Sequence, residues 1–467
     1  MLKKLFSHTA IYGLAPQVSK IAGFLALPII TKELTSSDYG VYGLLTAYTS
    51  AISVLSILGL RLVLVNSFYH SPKQYKWSWR QIYGFLNLWN IIYAIILGIL
   101  VLVIIPPEAS ANKWLILFLN IIPLVFFGQT SMVGLTYYQL NQKPMQIAMR
   151  SLFFGVLTVA LNVILIAYYK MGYMGWFWAN FIVGILNNLS YWYPLNVKYK
   201  ITPIYNFKWK HIKKSLKVSL PIIPHHYSSY LLDSSDKVLM DFEKISTSDI
   251  GKYNVAYTVG NIFNALGVAG GYAVGPLMNE KYKKNDDKGA RDLIFVMQIA
   301  FFFLTFTASL WMKEVFQLMI QNKSLNTLYP LAIIIVMSYN YRPMYLGSVN
   351  KLFYKEKTTF LWKLTLTAAI INVVLNLIFM PFYGYKAAAF TTFAAFLYMG
   401  YAGFYYKIFK EINNTNFYQL WWLIATIVLT FLAYEFVEYS IITKIFISII
   451  SSLAIFLCIV KFNKKLS

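Results

Sequence analysis

Apolar runs of about twenty residues, each closed by a short polar turn, recur along the whole chain. That length matches a bilayer's hydrocarbon core of about 30 Å at a rise of about 1.5 Å per residue. Breaks at charge, glycine and proline divide the chain into fourteen predicted helices, at about residues 8–30, 41–65, 82–105, 114–136, 148–169, 173–195, 217–240, 251–276, 292–320, 328–349, 360–381, 385–407, 418–437 and 441–461. Barrel strands do not fit, because they would alternate strictly over about ten residues. No loop exceeds about 20 residues, which leaves no room for a soluble domain. The expected fold class is an all-α polytopic membrane protein.

The polar punctuation repeats. Thr35-Ser-Ser-Asp-Tyr-Gly-Val-Tyr42 returns as Ser246-Thr-Ser-Asp-Ile-Gly-Lys-Tyr253. Asp38 thus pairs with Asp249, while Lys143 pairs with Lys357 and Asn162 with Asn376, at nearly one offset. Six predicted spans separate each position from its copy, an even number, so both halves point the same way. That is the parallel repeat of transporters built from two rocking halves, with the substrate site at their interface. The expected organisation is a six-helix lobe over 1–195, a basic linker over 196–216, a second six-helix lobe over 217–407 and two additional transmembrane helices in 408–467.

Composition sharpens this reading. The 467 residues are 58% hydrophobic and only 12% charged, against about 25% charged in soluble domains, and the mean hydropathy is +0.56. The net charge of +24 first suggests nucleic acid, but Lys and Arg cluster in alternate short loops. Topology explains that clustering, and it puts both termini and the segment 196–217 on the cytoplasmic side. The basic, aromatic-rich segment KYKITPIYNFKWKHIKK then reads as a juxtamembrane stretch touching anionic lipid headgroups. The single cysteine, Cys458, excludes a disulfide framework and a cysteine metal cluster. No cleavable signal sequence is expected, since the first apolar run lacks an A-x-A-like site and continues as a full span. No Walker A pattern occurs, so direct ATP use is not expected.

Three stretches carry a family resemblance. YGLAPQVSKIAGFLALPIITKELTSSDYGVYGL, LPIIPHHYSSYLLDSSDKVLM with SDIGKYNVAY, and the hairpin holding Asn376, Pro381, Gly384 and Ala387 to Ala389 are similar to Wzx-type O-antigen flippases. These form the polysaccharide branch of the multidrug/oligosaccharidyl-lipid/polysaccharide exporter superfamily. The resemblance implies fourteen spans, two six-helix bundles around a cavity, and alternating access in the bacterial inner membrane. It implies a substrate class, undecaprenyl-pyrophosphate-linked oligosaccharide for O-antigen lipopolysaccharide or capsule, moved to the outer leaflet. Its implied partners are that substrate, membrane lipids, Na+ or H+ as coupling ion, and polysaccharide polymerase and chain-length proteins. The rival within the superfamily is a cation-coupled multidrug antiporter. A membrane polymerase or glycosyltransferase would need a larger outer loop.

Ionisable residues at membrane depth cost about 2.5–3.5 kcal/mol each, so they are kept for a cavity or a partner. Lys20, with Gln17 nearby, either faces the cavity as a cation for pyrophosphate or pairs a buried carboxylate. Arg61 either lines the cavity or reaches the headgroups. His225 and His226 lack a third ligand at helical spacing, so a metal site is not expected, nor is any cofactor. They bind substrate or pack. Arg342, beside Asn340, is assigned to the cavity. Asp233, Asp236 and Lys237 are assigned to ion coupling or ion pairs. Cations outnumber acids among these residues, which suits an anionic substrate better than a cationic drug.

Overall fold

The computed structural model describes residues 19–357 and 361–466, with side chains described outside 225, 226, 229, 233 and 454–466. Every regular element among them is helical, so the expected all-α class holds. The chain forms two compact units. The first takes residues 14–241 and 246–251, the second residues 242–245 and 252–467.

The first unit contains α1 (Leu27–Ile30), α2 (Ser36–Ser53), α3 (Arg61–His70), α4 (Tyr75–Ile104), α5 (Lys113–Phe127), α6 (Thr130–Leu140), α7 (Pro144–Asn162), α8 (Tyr173–Tyr193), α9 (Trp209–Ser219) and α10 (Ile223–Phe242). The second contains most of α11 (Thr247–Lys283), then α12 (Asp287–Leu310), α13 (Met312–Met319), α14 (Tyr329–Ser338), α15 (Tyr341–Tyr354), α16 (Leu361–Tyr383), α17 (Lys386–Tyr401), α18 (Lys407–Ile412), α19 (Gln419–Phe436) and α20 (Ile441–Leu466).

Eight described stretches are long and apolar enough to cross a membrane, among them Ser36–His70, Tyr75–Ile104, Pro144–Tyr168 and Asp287–Leu310. The expected count of fourteen is thus not reached on length and hydropathy alone. The shortfall has visible causes. Predicted span ten is cut between Ser338 and Tyr341. α8 carries Asn180, Asn187 and Asn188, and α10 carries Asp236, Lys237 and Asp241. The first span begins outside the described residues.

The repeated motif is a helix start. Thr35 caps α2 in a capping box: its hydroxyl accepts from the Asp38 N–H at 3.2 Å, and Asp38 accepts the Thr35 N–H at 2.8 Å. Ser246 plays the same part at α11, accepting the Asp249 N–H at 3.2 Å. The S/T-x-x-D spacing is what such a box requires. The two starts also touch, within the first unit. Ser36 Oγ lies 2.6 Å from Ser248 Oγ. A Cβ on Gly40 would sit 1.8 Å from the Thr247 carbonyl oxygen, and one on Gly251 the same 1.8 Å from that of Ser36. Only glycine allows that approach at either copy.

The basic segment is tied down rather than free. Ile204 donates its N–H to the Arg80 carbonyl at 2.9 Å, Arg80 Nε donates to the Thr202 carbonyl at 3.0 Å, and the Lys208 N–H reaches Gln81 Oε1 at 2.6 Å. Phe207 and Trp209 close over Phe85.

Candidate functional site

Two predicted spans of the first unit break in mid-course. α2 and α3 are separated by Leu58 and Gly59 in the left-handed region, at φ 51° and 67°. α5 and α6 are separated at Gly128, at φ 50°. A broken helix frees carbonyls and amides that must be met by side chains or a water-lined cavity. Asn90, fully buried on α4, meets both breaks. Its amide donates to the Ser56 carbonyl at 3.1 Å, and its Oδ1 accepts from Gln129 Nε2 at 3.0 Å. Trp89 donates its indole N–H to the Leu55 carbonyl at 2.7 Å, and Tyr83 holds Thr130 at 2.5 Å.

Between these breaks and α7–α8 lies a cavity of about 700 Å³. Arg61, the first residue of α3, and Gln129, directly after Gly128, line it together with Arg150, Asn180, Asn187 and Thr158. Among the described residues no carboxylate lines it. Arg61 is exposed and donates from Nη2 to Gln139 Oε1 at 2.7 Å. Arg150 packs against two neighbouring rings, 5.0 Å from the Tyr138 centroid and 4.9 Å from that of Tyr191. Its Nη1 donates to the Gln146 carbonyl at 2.8 Å and its Nη2 to the Ser190 carbonyl at 3.0 Å, which sets the plane of the fork. Its Nε also donates to Ser190 Oγ at 3.2 Å and its Nη1 to Gln146 Oε1 at 3.0 Å, so four of its five N–H groups are engaged and it serves as a fixed positive charge for a phosphate-like group.

The structure distributes the sequence-predicted residues unevenly. Arg61 lines the cavity. Lys20 is exposed and does not, although neighbouring Ser19 donates to the carbonyl of the cavity residue Ser151 at 3.2 Å. Asp236 is buried and Lys237 half-buried on α10. Gln17 lies outside the described residues, as do the side chains of His225, His226 and Asp233.

Arg342 and Asn340 belong to the second unit. Asn340 is fully buried, its amide donating to Thr305 Oγ1 at 2.8 Å while its carbonyl accepts from Gln298 Nε2 at 3.0 Å. Arg342 donates to Tyr341 Oη at 3.1 Å, and its aliphatic stem covers Gly267. Reasoning from sequence missed Arg150 and Asn90. Arg150 lies two residues inside the predicted span 148–169, close enough to its polar end to pass for a cation reaching the headgroups. Asn90 is the last amide before the uninterrupted apolar half of α4, one turn after Asn87, and its depth in the helix was the available signal.

A profile of the family described as polysaccharide biosynthesis protein matches residues 5–282, more than half of the chain. The chain belongs to the polysaccharide biosynthesis protein family. Its cavity and both breaks fall inside the matched region. A relative of this family member is protein 1 of the Lsg locus of Haemophilus influenzae, 24% identical over 259 residues, which are 54% of this chain. The match spans 60% of that relative, less than two thirds of its length. Among solved structures the chain resembles the lipid II flippase MurJ in an inward closed conformation, with TM-score 0.73 and 14% identity over 95% of this chain and 97% of that one. It also resembles the Vibrio cholerae MATE transporter VcmN, with TM-score 0.53 and 13% identity over 89% of this chain and 98% of that one. At those identities the likeness is one of fold.

Proposed function

We propose that this chain is a flippase. It carries an undecaprenyl-pyrophosphate-linked oligosaccharide, an O-antigen or capsule repeat unit, from the cytoplasmic to the outer leaflet of the bacterial inner membrane. The observation that carries this reading is the cavity holding Arg61 and Arg150 with no carboxylate among its described lining residues. A pyrophosphate cannot enter a low-dielectric region unaccompanied, because an unpaired charge there costs several kcal/mol. Two fixed guanidiniums offset that cost, and the amides and hydroxyls around them suit the sugar. Membership of the polysaccharide biosynthesis family and the likeness to MurJ support the same class. The work is translocation, not a covalent step. It proceeds by alternating access of two repeats, 1–195 and 217–407, with cytoplasmic termini and with 408–467 as a peripheral pair. A Na+ or H+ gradient drives it through Asp233, Asp236 and Lys237. Lys20, His225, His226 and Arg342 add charge along the substrate's path.

A likeness to VcmN favours a second reading, a cation-coupled multidrug antiporter, but a cationic drug would be repelled by this cavity. The deciding experiment reconstitutes the purified chain in liposomes with a fluorescent lipid-linked oligosaccharide. Headgroup translocation should be seen, and Arg150→Ala should abolish most of it at equal protein insertion. Export of a cationic dye with no movement of the lipid-linked sugar would overturn the proposal.

A further inference from the structure

A second cavity of the first unit, about 500 Å³, lies between α3, the start of α4 and α9. It is separate from the arginine cavity, since no residue lines both. Its charged and titratable lining residues are His70, His211 and Lys214, and no carboxylate is among them. Ser67, Ser71, Ser78 and Ser215 add hydroxyls. Ser78 Oγ is 3.0 Å from His211 Nε2, and Ser67 Oγ is held by the Trp79 indole N–H at 3.1 Å. Trp77 forms a wall, its ring 5.1 Å from that of His211, with the Lys208 ammonium 5.6 Å from its centroid. Gln74, the N-cap of α4, also lines the cavity and makes no side-chain cap bond. The positive end of a 30-residue helix therefore opens beside the two imidazoles and Lys214.

We infer that this cavity binds a phosphate group, carried by an anionic lipid headgroup or free in solution. The inference goes beyond the flippase reading and does not rest on it. The chemistry is a set of hydroxyl and imidazole donors, a lysine and a helix N-terminus converging with no acid to oppose an anion. Trp77, partly exposed, gives the edge an amphipathic ring of the kind found at the level of lipid headgroups. Membrane lipid bound here would lock α9 to α3 and α4, the contacts that hold the basic segment in place.

The test uses the full-length chain, delipidated in detergent. Native mass spectrometry counts retained phosphatidylglycerol against phosphatidylcholine, and thermal melting is followed with inorganic phosphate alone. The His211→Gln/Lys214→Gln double variant should retain phosphatidylglycerol about fivefold less, the loss expected for one lysine near a surface. The Lys210→Gln/Lys213→Gln variant removes two exposed lysines of the same helix that do not line the cavity and should lose much less of it than the cavity variant does. Ser78→Ala, a milder change, should also weaken retention if the double variant folds poorly. A preference for phosphatidylglycerol lost only in the cavity variants assigns a lipid headgroup. A melting shift with inorganic phosphate alone, lost in those variants and without lipid preference, assigns free phosphate. Equal loss in both lysine pairs, or neither effect in the native chain, overturns the proposal.

Discussion

Arg150 and Asn90 do different work in the arginine cavity, and substitution separates them. Arg150 offers charge in a set plane, packed against the rings of Tyr138 and Tyr191. A hydrogen bond to a charged group contributes about 1.5–3 kcal/mol, so Arg150→Ala should weaken headgroup binding roughly tenfold or more. Arg150→Lys should recover little, because the fork and the ring packing are both lost. Affinity for the lipid-linked sugar, measured at equal folded protein, checks this. Asn90 touches backbone and Gln129 instead. Asn90→Leu leaves two buried polar partners unmet, at about 1–3 kcal/mol each. Its melting temperature should fall first, with transport following the loss of folded protein. Normal stability with lost transport would instead make Asn90 a direct substrate contact.

At the scale of elements, caps and buried ion pairs hold the helices in register. Asp286 caps α12 by accepting the Gly289 N–H at 2.7 Å, and Lys281 sits 3.1 Å away. The Gly289 N–H first, and then Lys281, hold its carboxyl below the ordinary range. The native state thus binds this proton less tightly than the unfolded chain does. The stabilisation is present above the ordinary carboxyl pKa and is lost as pH falls through the lowered native value. Asp286→Ala should cost about 1 kcal/mol at neutral pH. The melting gap to the native chain should close in acid, whereas Asp286→Asn should keep most of the cap. Within the second unit α20 docks on α13 through another charge. Lys444 on α20 is fully buried against Glu314, at 2.7 Å and 2.9 Å to the two carboxylate oxygens. Trp311 adds a hydrogen bond to Ser448 at 3.0 Å. Glu314→Gln strands that lysine and should cost about 3 kcal/mol, whereas Glu314→Leu with Lys444→Met should be far milder. Melting of the two variants side by side tests the difference.

For the whole molecule, the informative contact is the one the repeat makes with itself. Gly40 and Gly251 stand 211 residues apart, and each leaves room for the other's helix start. Replacing either by Ala pushes a methyl into a carbonyl oxygen, an overpacking that costs about 1–3 kcal/mol. The two substitutions should hurt by similar amounts, and the double variant should cost less than their sum, because one shift of the helix starts relieves both. Strict additivity in thermal melting would show the two sites to be independent.

The helical class, the membrane setting and the repeat follow from local pattern, since run length, loop charge and recurring motifs need no tertiary contact to be seen. The capping boxes were equally legible, because Thr35 and Asp38 interact within one turn. Arg61 could be singled out because a cation inside an apolar run is conspicuous by itself. What joined it to Gln129 and Arg150 was invisible in the chain. Those residues lie on different helices, and they meet only because two spans break and Asn90 bridges the freed backbone. Likewise Asn340 and Arg342 are neighbours in sequence, yet Asn340 is fully engaged in helix-to-helix hydrogen bonds. Polarity along a chain marks which residues must find partners. Which partner each one finds depends on the packing of helices far apart in sequence, and only the fold decides that.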